Sequence, residues 1–84
     1  MQKKRLVIFV ILNFCRLARI KLQSGNFQTA EHYYRENLPI LIEKIGISHP
    51  DVITVAGRYL ETLTKLNRRE EIEKLLVQFP SLRQ

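Results

Sequence analysis

Apolar positions along the chain fall into four helical stripes divided by short polar breaks. The first runs from about Lys4 to Ser24 and opens on seven consecutive apolar residues, Leu6 to Leu12. The second, Phe27 to Ile45, sets Phe27, Ala30, Tyr34, Leu38, Leu41 and Ile45 at steps of three and four, which places them along one side of an α-helix. The third carries Val52, Val55, Ala56, Tyr59, Leu60, Leu63 and Leu66. The fourth begins near Arg69 or Glu70, turns Ile72, Leu75, Leu76 and Phe79 inward, and ends at Pro80. Long helical periods with almost no turn chemistry between them predict an all-α fold.

The breaks carry helix-terminating and helix-starting chemistry. Gly25 can enter the left-handed conformation without a Cβ penalty and so close the first helix. Asn67 stands at the matching place after the third, and asparagine is the next most tolerant residue there. Gly46 is placed to end the second helix, with Lys44 complementing the dipole in its last turn. Ser48 with Asp51 has the form of a capping box for the third helix, flanked by Ile47 and Val52 as a hydrophobic staple. Pro50 in the first turn costs no intrahelical bond. Glu70, Glu71 and Glu73 favour the positive end of the fourth. Pro39 breaks the local rule, because a proline inside a helix removes a backbone bond. The helix must bend or divide there, and the unbroken phase of the stripe favours a bend. Glu31–Arg35, Glu61–Lys65 and Glu70–Lys74 have the favourable i, i+4 order of solvated helix faces.

Shifted by 42 residues against itself, the chain places Gly25 on Asn67, Val10 on Val52, Arg16 on Arg58, Ala30 on Ile72 and Tyr34 on Leu76. One domain, residues 1–84, thus divides into two repeats, about 4–46 and 48–80, and a repeat of this length points to stacked helical hairpins. HEAT-type repeats share a period of about 40–47 residues.

The residues around the breaks resemble the tetratricopeptide (TPR) family in its long, kinesin-light-chain-like form. Leu17-Ala18 matches the large–small pair of the family's first helix. Gly25-Asn26-Phe27 followed by Ala30 and Tyr34 matches its turn and second helix. Lys44-Ile45-Gly46-Ile47-Ser48-His49-Pro50-Asp51-Val52 is similar to its His-Pro-Asp linker. The resemblance spans about residues 10–79. Departures are Lys21, where the family often has tyrosine, and Leu60, Asn67, Arg69 and Ile72 in the second repeat, which read as a weaker or terminal repeat. The fold implied is two antiparallel helix hairpins stacked as an α-solenoid, a fragment of a right-handed superhelix. The function implied is non-catalytic protein–protein interaction, with the first helix of each hairpin lining a concave groove. By that resemblance the groove receives Leu12, Cys15, Arg16, Arg19, Leu22 and Gln23 from the first helix, and Thr54, Arg58, Glu61 and Lys65 from the third. Arg16 and Arg58 are repeat-equivalent, and guanidinium groups grip carboxylates bidentately. An acidic peptide or partner helix is the expected ligand. Kinesin-light-chain-like repeats commonly carry asparagine at these two positions, so the grip on a peptide differs here.

Composition narrows the field further. The net charge of +6 suits acidic partners. Apart from Lys3-Lys4-Arg5, however, the basic residues are scattered among glutamates, with no interleaved aromatic platform, which argues against nucleic acid. The basic start followed by an apolar run has the outline of a signal peptide, but no small-residue cleavage site follows. Arg16 and Arg19 also cut the run short of the ~20 residues a membrane span needs. A single cysteine, Cys15, forms no internal disulfide and fits a reducing, cytoplasmic compartment. His32 and His49 are the only histidines. They stand at no metal-ligand spacing, no phosphate loop is present, and no cofactor is expected. The apolar start (Leu6, Val7, Ile8, Phe9 and Leu12) leaves no polar face, so it needs cover. An upstream repeat, a second copy forming a homodimer, or a different protein would supply it. The alternative function is therefore packing or self-association within a larger repeat protein.

Overall fold

The computed structural model describes residues 2–83, with side chains from Leu6 onward. The basic run Lys3-Lys4-Arg5 lies outside the residues whose side chains are described. Four α-helices follow one another: α1 (Gln2–Gln23), α2 (Phe27–Ile45), α3 (Pro50–Lys65) and α4 (Arg69–Gln78), with a closing 3₁₀ turn, Pro80–Arg83. The described residues contain no strand. No described helix is long and apolar enough to cross a membrane.

The two hairpin turns use the same bonds. At the end of α1, the Asn26 amide donates to the Lys21 carbonyl (2.8 Å) and the Gly25 amide to Leu22 (3.2 Å). At the end of α3, the Arg68 amide donates to Leu63 (3.0 Å) and the Asn67 amide to Thr64 (3.1 Å). Each is the crossed pair of a Schellman motif, and each requires a positive φ, +85° at Gly25 and +61° at Asn67. The partners in the second turn lie 42 residues beyond those in the first.

The linker between hairpins differs from expectation. Asn26 and Arg68 precede their helices without side-chain caps, but α3 is capped by His49. Its Nδ1 accepts the Asp51 amide at 3.0 Å, with Pro50 in the first turn. Ser48 is one residue too early to be the cap, and Ile47 stays exposed and so does not staple Val52. A histidine ring nitrogen reaches the second amide of the helix as a carboxylate or hydroxyl would. Pro39 does not divide α2, which runs unbroken from Phe27 to Ile45.

The core is one cluster. Ala18 and Ala30 are both fully buried, where small side chains let α1 and α2 approach closely, and Tyr34, Leu38 and Leu41 fill the space beside them. α2 packs against both α1 and α3, and α3 also packs against α4. Val52, Ala56 and Leu63 on α3 are fully buried, and Phe79 closes the far end. Glu31 is a correction to the solvated-face expectation. It is only 4% exposed, and its carboxylate accepts the Tyr59 hydroxyl at 3.5 Å and pairs with Arg35 at 3.5 Å. The Glu61–Lys65 and Glu70–Lys74 pairs do not form; Arg68–Glu71 (3.9 Å) and Arg83–Glu73 (3.0 Å) do.

The shared turn geometry generates a stability test. Gly25→Ala, forced into a left-handed backbone, lowers stability by about 1 kcal/mol. Asn67→Gly is neutral or stabilising, since glycine carries no Cβ into that conformation. Thermal melts check that the first variant loses stability and the second does not.

Candidate functional site

Side chains from α1 and α3 meet over a cavity whose floor is supplied by α2. Leu12, Cys15, Arg16 and Arg19 line one side, Thr54, Val55 and Arg58 the other, with Asp51 also on the lining and Tyr34 from α2 beneath. Its volume of about 320 Å³ lies at the small end of the range for ligand sites, room for one or two side chains of a peptide.

Helical spacing explains the set. Leu12, Arg16 and Arg19 stand at steps of four and three, so they share one edge of α1 beside the buried stripe of Ile11, Cys15, Ala18 and Leu22. Asp51, Thr54 and Arg58 form the corresponding edge of α3. Arg16 and Arg19 are exposed and Arg58 is half-buried. Three guanidinium groups therefore border a partly apolar recess that holds one carboxylate, Asp51.

Six of the ten residues expected in the groove are there: Leu12, Cys15, Arg16, Arg19, Thr54 and Arg58. Leu22 lies on the stripe turned into the core and is buried, so it is corrected to a packing residue. Gln23, Glu61 and Lys65 are exposed but do not line the cavity. Cys15 is buried at its wall, and burial pushes the thiol up to about 11. Tyr34, Val55 and Asp51 were not anticipated. The apolar step of Tyr34 marked it as core, and nothing in its spacing signals that it also lines the cavity.

Tyr34 is the unusual member. Its side chain is fully buried, and its hydroxyl has no hydrogen-bond partner in the protein. Burial pushes the phenol up to about 12; the Arg58 and Arg19 cations pull the other way, while Cys15 and Glu61 add to the rise. Its ring lies 6.0 Å from that of Tyr59 at a tilt of 38°, an aromatic contact that joins α2 to α3. Tyr59 is likewise raised to about 12, by burial first and then by the Glu31 carboxylate.

A second recess opens on the other side of the molecule, where Arg35, Pro39 and Ile42 of α2 meet Glu71, Lys74 and Gln78 of α4. Its charges are mixed in sign. Among the described residues, no group of three His, Cys, Asp or Glu side chains is placed to hold a metal ion.

The apolar start of α1 also divides. Leu6, Val7 and Phe9 are exposed, but Ile8 and Leu12 pack against the core and are corrected out of the partner patch.

Comparison with protein-family models, curated proteins and solved structures returned no match.

Two outcomes follow from the floor of this cavity. Tyr34→Phe removes a buried, unpartnered hydroxyl, so it raises stability, by about 1 kcal/mol, as urea unfolding would register. Alkali has the opposite effect on the native chain. Unfolded, the Cys15 thiol ionises near 9 and the two phenols near 10; folded, they keep their protons to about 11 and about 12. Their contribution is complete below pH 9 and is lost as pH rises towards 12. Thermal midpoints taken across that window fall for the native chain and fall less for Tyr34→Phe.

Proposed function

We propose that the chain is a pair of TPR-type repeats, stacked as a short right-handed solenoid. In this reading it is a non-catalytic interaction module in a reducing, cytoplasmic compartment. Its groove between α1 and α3 binds a peptide segment or partner helix that carries carboxylates.

Two features support the solenoid. The turn bonds recur at a spacing of 42 residues. The α1 and α3 edges that border one cavity are also repeat-equivalent, with Arg16 corresponding to Arg58 and Leu12 to Thr54.

The observation that carries the binding reading is the convergence of Arg16, Arg19 and Arg58 on that cavity. None of the three takes part in an ion pair among the described residues. Bidentate guanidinium contacts give such a ligand both affinity and a fixed direction. The apolar wall at Leu12, Cys15 and Val55 takes an aliphatic neighbour of the carboxylate. The ligand is accordingly a peptide that alternates acidic and aliphatic side chains.

A fluorescent peptide alternating glutamate and leucine tests this, with its lysine-for-glutamate counterpart as control. The native chain should bind the first and not the second. Arg16→Glu with Arg58→Glu should weaken binding by at least about tenfold, a change of 1.4 kcal/mol, as read by anisotropy. Unchanged binding in that variant would remove the groove reading.

A further inference from the structure

The outer side of α1 is exposed although it is apolar. Val10 is 50% exposed, Phe14 39%, Leu17 44% and Ile20 53%. These positions have counterparts 42 residues on, at Val52, Ala56, Tyr59 and Thr62. In α3 the counterparts are covered: Val52, Ala56 and Thr62 are fully buried and Tyr59 is half-buried. The helix that packs there is α2, whose Tyr34 meets Tyr59 and whose Glu31 accepts its hydroxyl. The protein therefore contains, in α2 lying on α3, a worked example of what covers this face: an apolar helix side with a carboxylate at its border. On α1 the corresponding face is open. It forms an apolar trough with Ile40 of α2 at the N-terminal end, extended past Leu17 to Ile20.

Charge decides the kind of occupant. α1 contains no acidic residue. Arg16 borders the stretch around Leu17 and Ile20, and Lys21 follows in the last turn. Glu36, one turn from Ile40 on α2, sits within 3.9 Å of Arg35. Pairing two copies along α1 would set cations against cations, which costs stability in a partly desolvated interface. Head-to-tail stacking of copies fares no better. Among large exposed apolar side chains α4 presents only Val77, and the closing turn lays Leu82 over Gly57.

We propose that this face receives an amphipathic helix from a partner polypeptide, apolar along one side and bordered by glutamates or aspartates. The apolar side lies along Val10, Phe14, Leu17 and Ile20 as a helix in a groove, and the carboxylates meet Arg16 and Lys21. This face shares Arg16 with the groove between α1 and α3, but its apolar residues are different ones.

The test uses the whole chain and two synthetic amphipathic peptides of about six turns. Both carry the same leucine stripe, flanked by glutamate in one and by lysine in the other. Anisotropy should show the glutamate-flanked peptide binding at least about tenfold tighter than the other, a gap that narrows as salt screens the charges. Val10→Gln with Leu17→Gln should reduce that binding about tenfold or more. Arg58→Glu, which alters only the inner groove, should leave it unchanged. Ile20→Gln serves as a second probe should the double variant lose helicity by circular dichroism.

Equal binding of the two peptides, or none of either, overturns the proposal. Loss with Arg58→Glu and not with the outer variants also overturns it, by placing the peptide in the inner groove. A native chain that sediments as a dimer, and as a monomer once Val10 and Leu17 are changed, assigns the face to a second copy and overturns it as well.

Discussion

The position of α3 on α2 governs everything this molecule can present, because that joint sets where one hairpin stands relative to the other. A carboxylate is buried in it. Taking Glu31 out of water is costly, and the cost is offset only while Arg35 and the Tyr59 hydroxyl remain in reach. Both contacts are 3.5 Å long, so the gain lies less in strong bonding than in direction. An apolar joint of the same size would tolerate sliding of one helix along the other. Tyr34 against Tyr59, with Val52 and Ala56 buried alongside, supplies the contact area that Glu31 orients. Arg58, one residue before Tyr59, is carried by this joint to the cavity that Arg16 and Arg19 border.

Much of this was legible because helix periodicity and backbone conformation are local properties. The stripe of Phe27, Ala30, Tyr34, Leu38 and Leu41 can be buried only as a helix, and it continues through Pro39 because a lost backbone bond matters less than an unbroken buried face. Gly25 and Asn67 mark the turns because few residues accept a positive φ. What escaped depends on neighbours remote in sequence. Glu31 looks like half of a surface pair until Tyr59, 28 residues away, covers it. His49 looks like linker composition until its ring folds back over the Asp51 amide, displacing Ser48 from the cap. Leu22 shares a helix with the groove residues but lies on the stripe that α2 covers, and periodicity alone does not say which of two adjacent stripes a partner takes.

The same ambiguity bears on the first helix, whose start alone, Leu6 to Leu12, reads as apolar on every side. It serves three environments: Ile11, Cys15, Ala18 and Leu22 face the core, Arg16 and Arg19 border the cavity, and Val10, Phe14, Leu17 and Ile20 face outward. α3 divides in the same way, but its outer side is covered by α2. Sequence shows apolar positions on more than one side of α1; only the packing separates a side that is filled from one that is open.

The two ends of the hairpin pair are consequently unlike. At the α4 end, Phe79 is buried, Pro80 stops the helix, and the closing turn brings Leu82 back over Gly57. Of the large exposed apolar side chains, only Val77 belongs to α4. At the α1 end the large side chains stay exposed although α2 touches their border, with the Tyr33 ring 5.9 Å from that of Phe14 and Ile40 beside Val10. Isolated exposed apolar residues are ordinary, whereas a contiguous helix-length stripe is not. The imbalance is one of cover within the described residues: α2 lies over the outer side of α3, while the matching side of α1 stays largely exposed.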